Sequence, residues 1–119
     1  MSKENQFSEV HDKLIQELRR GILALAVLSR LDEERYGYSL INSLSEKGLE
    51  IEQGTLYPLL RRLESQGLLT SKWNVEGSRP RRYYQTSDEG ADMLEVLAAE
   101  WRDLAEVIEN LLGLISPGE

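Results

Sequence analysis

The sequence predicts a mainly α-helical domain with one small β-hairpin, an α+β arrangement closed by a long C-terminal helix. Three observations predict it. Leucines recur at steps of three and four through separate segments, the seam of amphipathic helices. A run of alternating β-formers, Leu68 to Val75, is followed across a Gly- and Pro-bearing turn by a second run, Arg81 to Thr86. A last apolar stripe then continues for about three heptads, which is coiled-coil spacing. At 119 residues the chain is most simply one unit with a single core.

Met1 to Ser8 is polar and is expected to be a flexible N-terminus. From about Asp12 to Leu31, Leu14, Leu18, Ile22, Leu25 and Leu28 mark a long helix. Ile15, Leu23 and Val27 widen that face, so the helix is expected to pack on two sides. Asp32-Glu33-Glu34-Arg35 is a polar break, after which Tyr36-Gly37-Tyr38-Ser39 leads into a second helix carrying Leu40, Ile41 and Leu44. Gly48 stops it, as glycine does just past a helix end. Leu49 to Gln53 suggests a short extended piece.

A third helix is expected from near Gly54 to Gln66, ending at Gly67, with Leu56, Leu59, Leu60 and Leu63 at i, i+3, i+4 and i+7. Pro58 lacks an N–H and suits only a first turn, which sets the start near Gly54. In the hairpin, Glu76-Gly77-Ser78-Arg79-Pro80 is turn chemistry. Ser87 offers an N-cap oxygen, and Asp88 and Glu89 suit the positive end of a helix dipole. A fourth helix of about 25 residues follows, on Leu94, Leu97, Trp101, Leu104, Ile108 and Leu111. Leu112, Leu114 and Ile115 continue the apolar character before Pro117 ends it. The expected divisions are a flexible segment 1–8, a core unit 9–86, the long helix 87–113 and a tail 114–119.

Charge is the strongest functional signal. The chain carries a net −7, yet Gly54 to Thr86 holds Arg61, Arg62, Lys72, Arg79, Arg81 and Arg82 against only Glu64 and Glu76, a local +4. A cationic segment confined to one helix and one hairpin suggests a polyanion as partner, since phosphate contacts supply most non-specific nucleic-acid affinity. The plainer alternative is a solvated charge run.

Other classes are disfavoured. There is no cysteine, which excludes disulfides, thiolate metal sites and a cysteine nucleophile. One histidine, His11, leaves little for metal binding or acid–base work, so neither metal nor cofactor is expected, and no enzyme. Asp32 with Glu33 and Asp88 with Glu89 sit at breaks or caps, where capping explains them. No apolar run approaches the roughly 20 residues of a membrane span, and the N-terminus lacks an apolar signal core. A cytoplasmic protein without membrane contact is expected.

Three helices followed by a two-stranded hairpin is the order of a winged helix-turn-helix. Gly54 to Gln66 would be the recognition helix and Glu76 to Pro80 the wing tip. The helix presents Thr55, Tyr57, Pro58, Arg61 and Arg62 outward, a face able to enter a major groove. Thr55 and Tyr57 could touch base edges, and the arginines could read guanine or grip phosphate. Lys72, Arg79, Arg81 and Arg82 could reach flanking backbone or a minor groove. Tyr38 and Ser39, at the start of the second helix, and Gly54 complete the candidate DNA-binding set. Trp73 is expected to pack the wing.

The run Gly54-Thr55-Leu56-Tyr57-Pro58-Leu59-Leu60-Arg61-Arg62-Leu63-Glu64, then Gln66-Gly67-Leu68-Leu69, resembles the hallmark of the PadR-type transcriptional regulators. So do Tyr36-Gly37-Tyr38, Arg79-Pro80-Arg81-Arg82-Tyr83-Tyr84 and Arg20-Gly21-Ile22-Leu23. The similarity runs from Leu14 to Leu112, with several separated motifs in order, and the single C-terminal helix matches the shorter subfamily. The resemblance implies a homodimeric repressor on a double-stranded DNA operator with two-fold symmetry. Its C-terminal helix would pack against the partner, often on the partner's first helix, through Leu14, Leu18, Ile22 and Leu25 with Leu94, Leu97, Trp101, Leu104, Ile108 and Leu111. Glu52-Gln53 stands where the family usually places a small polar cap, and Thr86 where an apolar residue is common.

The resemblance also implies a site for a small aromatic or hydrophobic effector. Met93, Leu97, Trp101 and Ala105 recur every four residues and could line a cavity with Gly21 and Ile22. Alternatively, Trp101 is simply a large interface residue. Two rivals to DNA-dependent regulation remain: a winged-helix protein-interaction module without DNA binding, and a small-molecule-binding dimer.

Overall fold

The computed structural model describes residues 3–113; the expected tail 114–119, with Leu114, Ile115 and Pro117, lies outside the described residues. The elements are α1 (Lys3–Arg30), β1 (Arg35–Tyr36), α2 (Gly37–Glu46), α3 (Gln53–Ser65), β2 (Leu69–Asn74), β3 (Arg81–Thr86) and α4 (Asp88–Leu112). The three strands form one antiparallel sheet in the order β1-β3-β2. A mainly helical chain with this small sheet is the expected fold class, with one strand more than the hairpin.

That extra strand is a correction. Arg35 and Tyr36 pair with Tyr84 and Tyr83, whereas Leu49 to Gln53, expected to be extended, forms no strand. Ile51 is instead buried in the core from a loop. A second correction concerns the N-terminus. α1 already begins at Lys3, so most of the segment expected to be flexible is helix. Lys3, Glu4, Gln6 and Glu9 favour these turns, Glu9 precedes Lys13 by four residues, and Phe7 and Val10 extend the Leu14–Leu18 seam.

Pro58 is the third correction. The N–H groups of Thr55 and Leu56 both donate to the Glu52 carbonyl, so α3 starts at Gln53 and Pro58 falls in its second turn. An interior proline costs a helix about 3 kcal/mol. Leu56, Leu59, Leu60 and Leu63 are all buried, and each such side chain contributes roughly 1.5–3 kcal/mol. Burial of that face therefore outweighs the missing hydrogen bond.

Both short helices end as the glycines imply. At Gly48 (φ 98°) and Gly67 (φ 81°) the chain turns left-handed. Leu49 N–H then donates to Leu44 O, and Leu68 N–H to Leu63 O, each a closed Schellman turn. The α3 leucines meet Val27 and Leu28 of α1, Leu31 just past its end, Leu40 and Leu44 of α2, and Leu69 and Tyr84 of the sheet.

α4 is anchored at its first turn. Ser87 Oγ accepts from Gly90 N–H at 3.0 Å and donates to the Gly67 carbonyl at 2.6 Å, while Ser87 N–H donates to the Leu68 carbonyl at 3.0 Å. Thr86 uses its hydroxyl on the Leu28 carbonyl at 2.9 Å and its N–H on the Leu31 carbonyl at 2.8 Å. The threonine that replaces an apolar residue thus ties β3 to the end of α1.

Beyond this junction both long helices project. The radius of gyration is 17.7 Å, against about 13.5 Å for a compact chain of this length. The expected pairing residues are exposed along much of their length: Leu14, Leu18 and Ile22 on α1, and Trp101, Leu104, Ile108 and Leu111 on α4. Leu25, Leu94 and Leu97 are half-buried.

Gly90 offers a test of the junction. An added Cβ would lie 2.0 Å from the Leu68 carbonyl oxygen, so Gly90→Ala should destabilise the protein by about 2 kcal/mol or more. A lower urea midpoint at unchanged m value is the expected result.

Candidate nucleic-acid interface

The leucine face of α3 is fixed inward, so its other face must meet solvent. Gly54, Thr55, Pro58, Arg61 and Arg62 are exposed there. Glu52 has the backbone of an N-cap but makes no side-chain cap hydrogen bond, and neither does Tyr36 at the start of α2. No side chain caps the leading N–H groups of either helix. Tyr38, on that first turn of α2, is exposed and Ser39 half-buried.

Arg61 and Arg62 diverge, because consecutive residues on a helix point about 100° apart. Arg61 lines a cleft of about 380 Å³ between α3 and the wing, together with Tyr36, Gly37, Tyr57, Trp73, Pro80, Arg81, Arg82 and Tyr84. Arg62 lines a different cleft, beside α1 and α4. Of the two, Arg61 shares the wing's side.

Tyr57 is half-buried in place of fully outward. Its ring covers Gly37 so closely that a Cβ there would lie 2.4 Å from the phenolic oxygen. Glycine at position 37 is therefore what lets the α3 tyrosine lie across the start of α2. Trp73 departs from expectation in the other direction, being 62% exposed with the Arg82 guanidinium 5.8 Å from its ring centre. It joins the cationic cleft in place of packing the wing.

The basic side chains of the wing differ in what holds them. Arg82 Nη2 donates to Glu64 Oε1 at 2.9 Å and its Nε to Ser71 Oγ at 3.0 Å. Lys72 Nζ lies 3.1 Å from Glu34 Oε2. Arg81 stacks 4.4 Å from the centre of the Tyr36 ring, which leaves its charge uncompensated. Among the described residues, no carboxylate lies within ion-pair range of Arg61, Arg62, Arg79 or Arg81. Strand alternation accounts for the partition: Ser71, Trp73, Arg82 and Tyr84 occupy one face of the hairpin, and Lys72, Arg81 and Tyr83 the other.

Two arginines outside the basic segment also approach α3. Arg19 and Arg20 of α1 line an open cleft of about 540 Å³ with Glu50, Glu52 and Thr55, and Arg19 donates to the Glu50 carbonyl. They sit more than thirty positions before Thr55, so only folding reveals the proximity. Their charge offsets Glu50 and Glu52 at the start of the helix.

Residues 24–96 match the Transcriptional regulator PadR-like family. The chain belongs to this family. A transcriptional regulator of Mycobacterium tuberculosis is 36% identical to it over 100 residues, covering 83% of this chain and 91% of the relative. A PadR-family transcriptional regulator from Eggerthella lenta has a crystal structure with 48% identity and a TM-score of 0.81, covering 90% of this chain and 96% of the other. The crystal structure of a PadR-like transcriptional regulator from Bacillus cereus matches at 29% identity and a TM-score of 0.70, covering 87% and 99%. PadR-family proteins are transcriptional regulators, not enzymes.

In this PadR-family chain the residues expected to hold an effector separate. Met93 and Leu97 line a cleft of about 440 Å³ with Ala24, Leu28, Leu63, Leu68, Arg62 and Gln66. Trp101, Ala105, Gly21 and Ile22 are not among the residues lining it. Among the described residues no cluster of three or more His, Asp or Glu could hold a metal ion, and no helix is long and apolar enough to cross a membrane.

Tyr84 sits where the sheet meets α3. Burial raises its pKa above the ordinary 10.0, and Glu64 adds to that, while Arg82 and Arg61 oppose it. The fold thus prefers the neutral phenol. Its stabilising contribution is complete below pH 10.0 and disappears as pH climbs through the raised folded value. Tyr84→Phe should therefore flatten the alkaline loss of stability, which urea midpoints measured from about pH 8 to about pH 11 would register.

Proposed function

We propose that this transcriptional regulator binds double-stranded DNA as a homodimer, occupying a palindromic operator in the cytoplasm as a repressor. The observation that carries the reading is the convergence of Arg61 on α3 with Arg81 on the wing in one aromatic-lined cleft. Each subunit would lay α3 in a major groove, with Thr55 and Arg61 toward base edges or phosphate. Arg79 and Arg81 would reach the flanking backbone, and the uncapped first turn of α2, with Tyr38 and Ser39, would approach a phosphate.

Dimerisation is supported by the stripes on the projecting helices. A monomer rarely leaves so continuous an apolar face in water, and Leu18 is 69% and Leu111 75% exposed. Two-fold symmetry would set the half-sites about one helical turn apart, roughly 34 Å, or a multiple of it. The acidic remainder would disfavour contact away from the basic face.

Release of the operator by a small aromatic or hydrophobic effector is supported by the Met93–Leu97 cleft, which α3 itself helps to line. Trp101 and Ala105, with Gly21 and Ile22, would join such a site through the paired subunits. An effector would act by preferring one separation of the two recognition helices.

Selection of bound duplex from a random pool should return a palindrome. Arg61→Ala with Arg79→Ala should weaken binding to it at least tenfold and lessen the salt dependence by about two phosphate contacts. A salt-independent complex would refute the reading and favour a protein-interaction module. Leu104→Glu with Ile108→Glu should convert a dimeric molar mass in light scattering to a monomeric one. Equal mass for both proteins would count against the paired helices.

A further inference from the structure

Arg82 belongs to the most basic stretch of the chain, yet its guanidinium is turned toward α3. Three side chains from three elements close a ring. Arg82 of β3 donates to Glu64 of α3 at 2.9 Å and to Ser71 of β2 at 3.0 Å, and Ser71 Oγ in turn donates to the other oxygen of Glu64. The guanidinium also lies near two aromatic rings, 5.8 Å from the centre of Trp73 and 5.6 Å from that of Tyr84. Both Glu64 oxygens and two nitrogens of the guanidinium are thereby engaged inside the protein.

We propose that Arg82 is a positioning residue and not a phosphate contact: with Glu64 and Ser71 it fixes the wing against α3, so that Arg61 and Arg81 are presented together to the duplex. The inference rests on the DNA-binding reading above and goes beyond it by dividing the wing arginines into two kinds. β2 follows α3 through one loop, Gln66 to Leu68. Backbone pairing holds β2 to β3 but does not set their tilt relative to α3. A charged, hydrogen-bonded ring across the three elements does set it, because a guanidinium and a carboxylate meet in a narrow range of geometries.

The sign of one substitution separates the alternatives. Glu64→Gln removes a negative charge beside the cationic cleft. If Glu64 were merely a bystander and Arg82 a phosphate contact, the change would free the guanidinium and tighten binding. If the ring positions the wing, the same change weakens specific binding despite the gain in net positive charge.

The experiment titrates wild type, Glu64→Gln, Arg82→Gln and the exchanged pair Glu64→Arg with Arg82→Glu against a duplex selected by wild type, over a range of salt. Circular dichroism melts are recorded in parallel. The expected result is at least a tenfold loss for each single variant and recovery to within about threefold of wild type in the exchanged pair. Glu64→Gln and Arg82→Gln open the same ring, so their salt slopes should change alike, whereas a phosphate contact made by Arg82 itself would lower the slope by about 0.9 in Arg82→Gln alone. Tighter or unchanged binding by Glu64→Gln overturns the proposal, as does a slope lowered by about 0.9 in Arg82→Gln but not in Glu64→Gln. Should a single variant unfold, recovery of fold and binding by the exchanged pair still supports the ring, since a glutamate at position 82 could not grip a phosphate. Failure of a folded exchanged pair to bind overturns it. If wild type itself selects no duplex, the DNA-binding reading falls first; if wild type binds and the ring variants bind equally well, only the ring falls.

Discussion

The structure depends on one constraint: α3 must bury four leucines on a single face. Leu56, Leu59, Leu60 and Leu63 occupy the space bounded by α1, α2 and the sheet. The helix cannot rotate about its axis without exposing them, and each leucine brought into water would cost roughly 1.5–3 kcal/mol. The direction of Thr55 and Arg61 is thus set by residues that never touch a partner. The same burial holds Pro58 in the second turn, where an isolated helix would break.

How much could be read beforehand follows from the range of the interactions. Periodicity finds α3 and α4 because each carries its own apolar stripe, and Ser87 with the following acids marks the start of α4 locally. The two residues of β1 have no period to detect; only pairing with Tyr83 and Tyr84 makes Arg35 and Tyr36 a strand. Composition makes Lys72, Arg79, Arg81 and Arg82 look equivalent. Through-space neighbours separate them, since Glu34 lies far back in sequence and Glu64 on another element. Strand alternation puts Arg81 and Arg82 on opposite faces, and helix geometry likewise parts Arg61 from Arg62. The packing of Tyr57 over Gly37 had no local signal at all, although the glycine is where close approach would be found.

Charge counting and charge availability are different quantities here. The local excess of +4 treats every lysine and arginine alike. The half-buried Arg82–Glu64 pair is fixed by Ser71, whereas Lys72 and Glu34 meet in a more exposed pair that water can compete for. Within this segment and among the described residues, the cations left without a carboxylate are Arg61, Arg62, Arg79 and Arg81, on α3 and the wing. An incoming polyanion would meet these first, and Lys72 could exchange Glu34 for a phosphate at little cost. Arg82 would have to break two hydrogen bonds, to Glu64 and to Ser71, leaving the half-buried Glu64 without its ion partner.

The junction around Ser87 explains how events on α4 could be felt at α3. Ser87 caps α4 through Gly90 while donating to Gly67, the residue that ends α3, and Gly90 lies directly against the Leu68 carbonyl. Thr86, the preceding residue, is bonded to Leu28 in the last turn of α1 and to Leu31 just past its end. The starts and ends of three helices therefore meet with no slack segment between them. A rotation of α4 about this point cannot be absorbed in a flexible linker and must be shared with α3. Pairing of the projecting helices would then fix not only that two recognition helices exist together but also their spacing. A ligand that favoured another pairing angle would alter that spacing at the operator, and one that bound both angles equally would alter nothing.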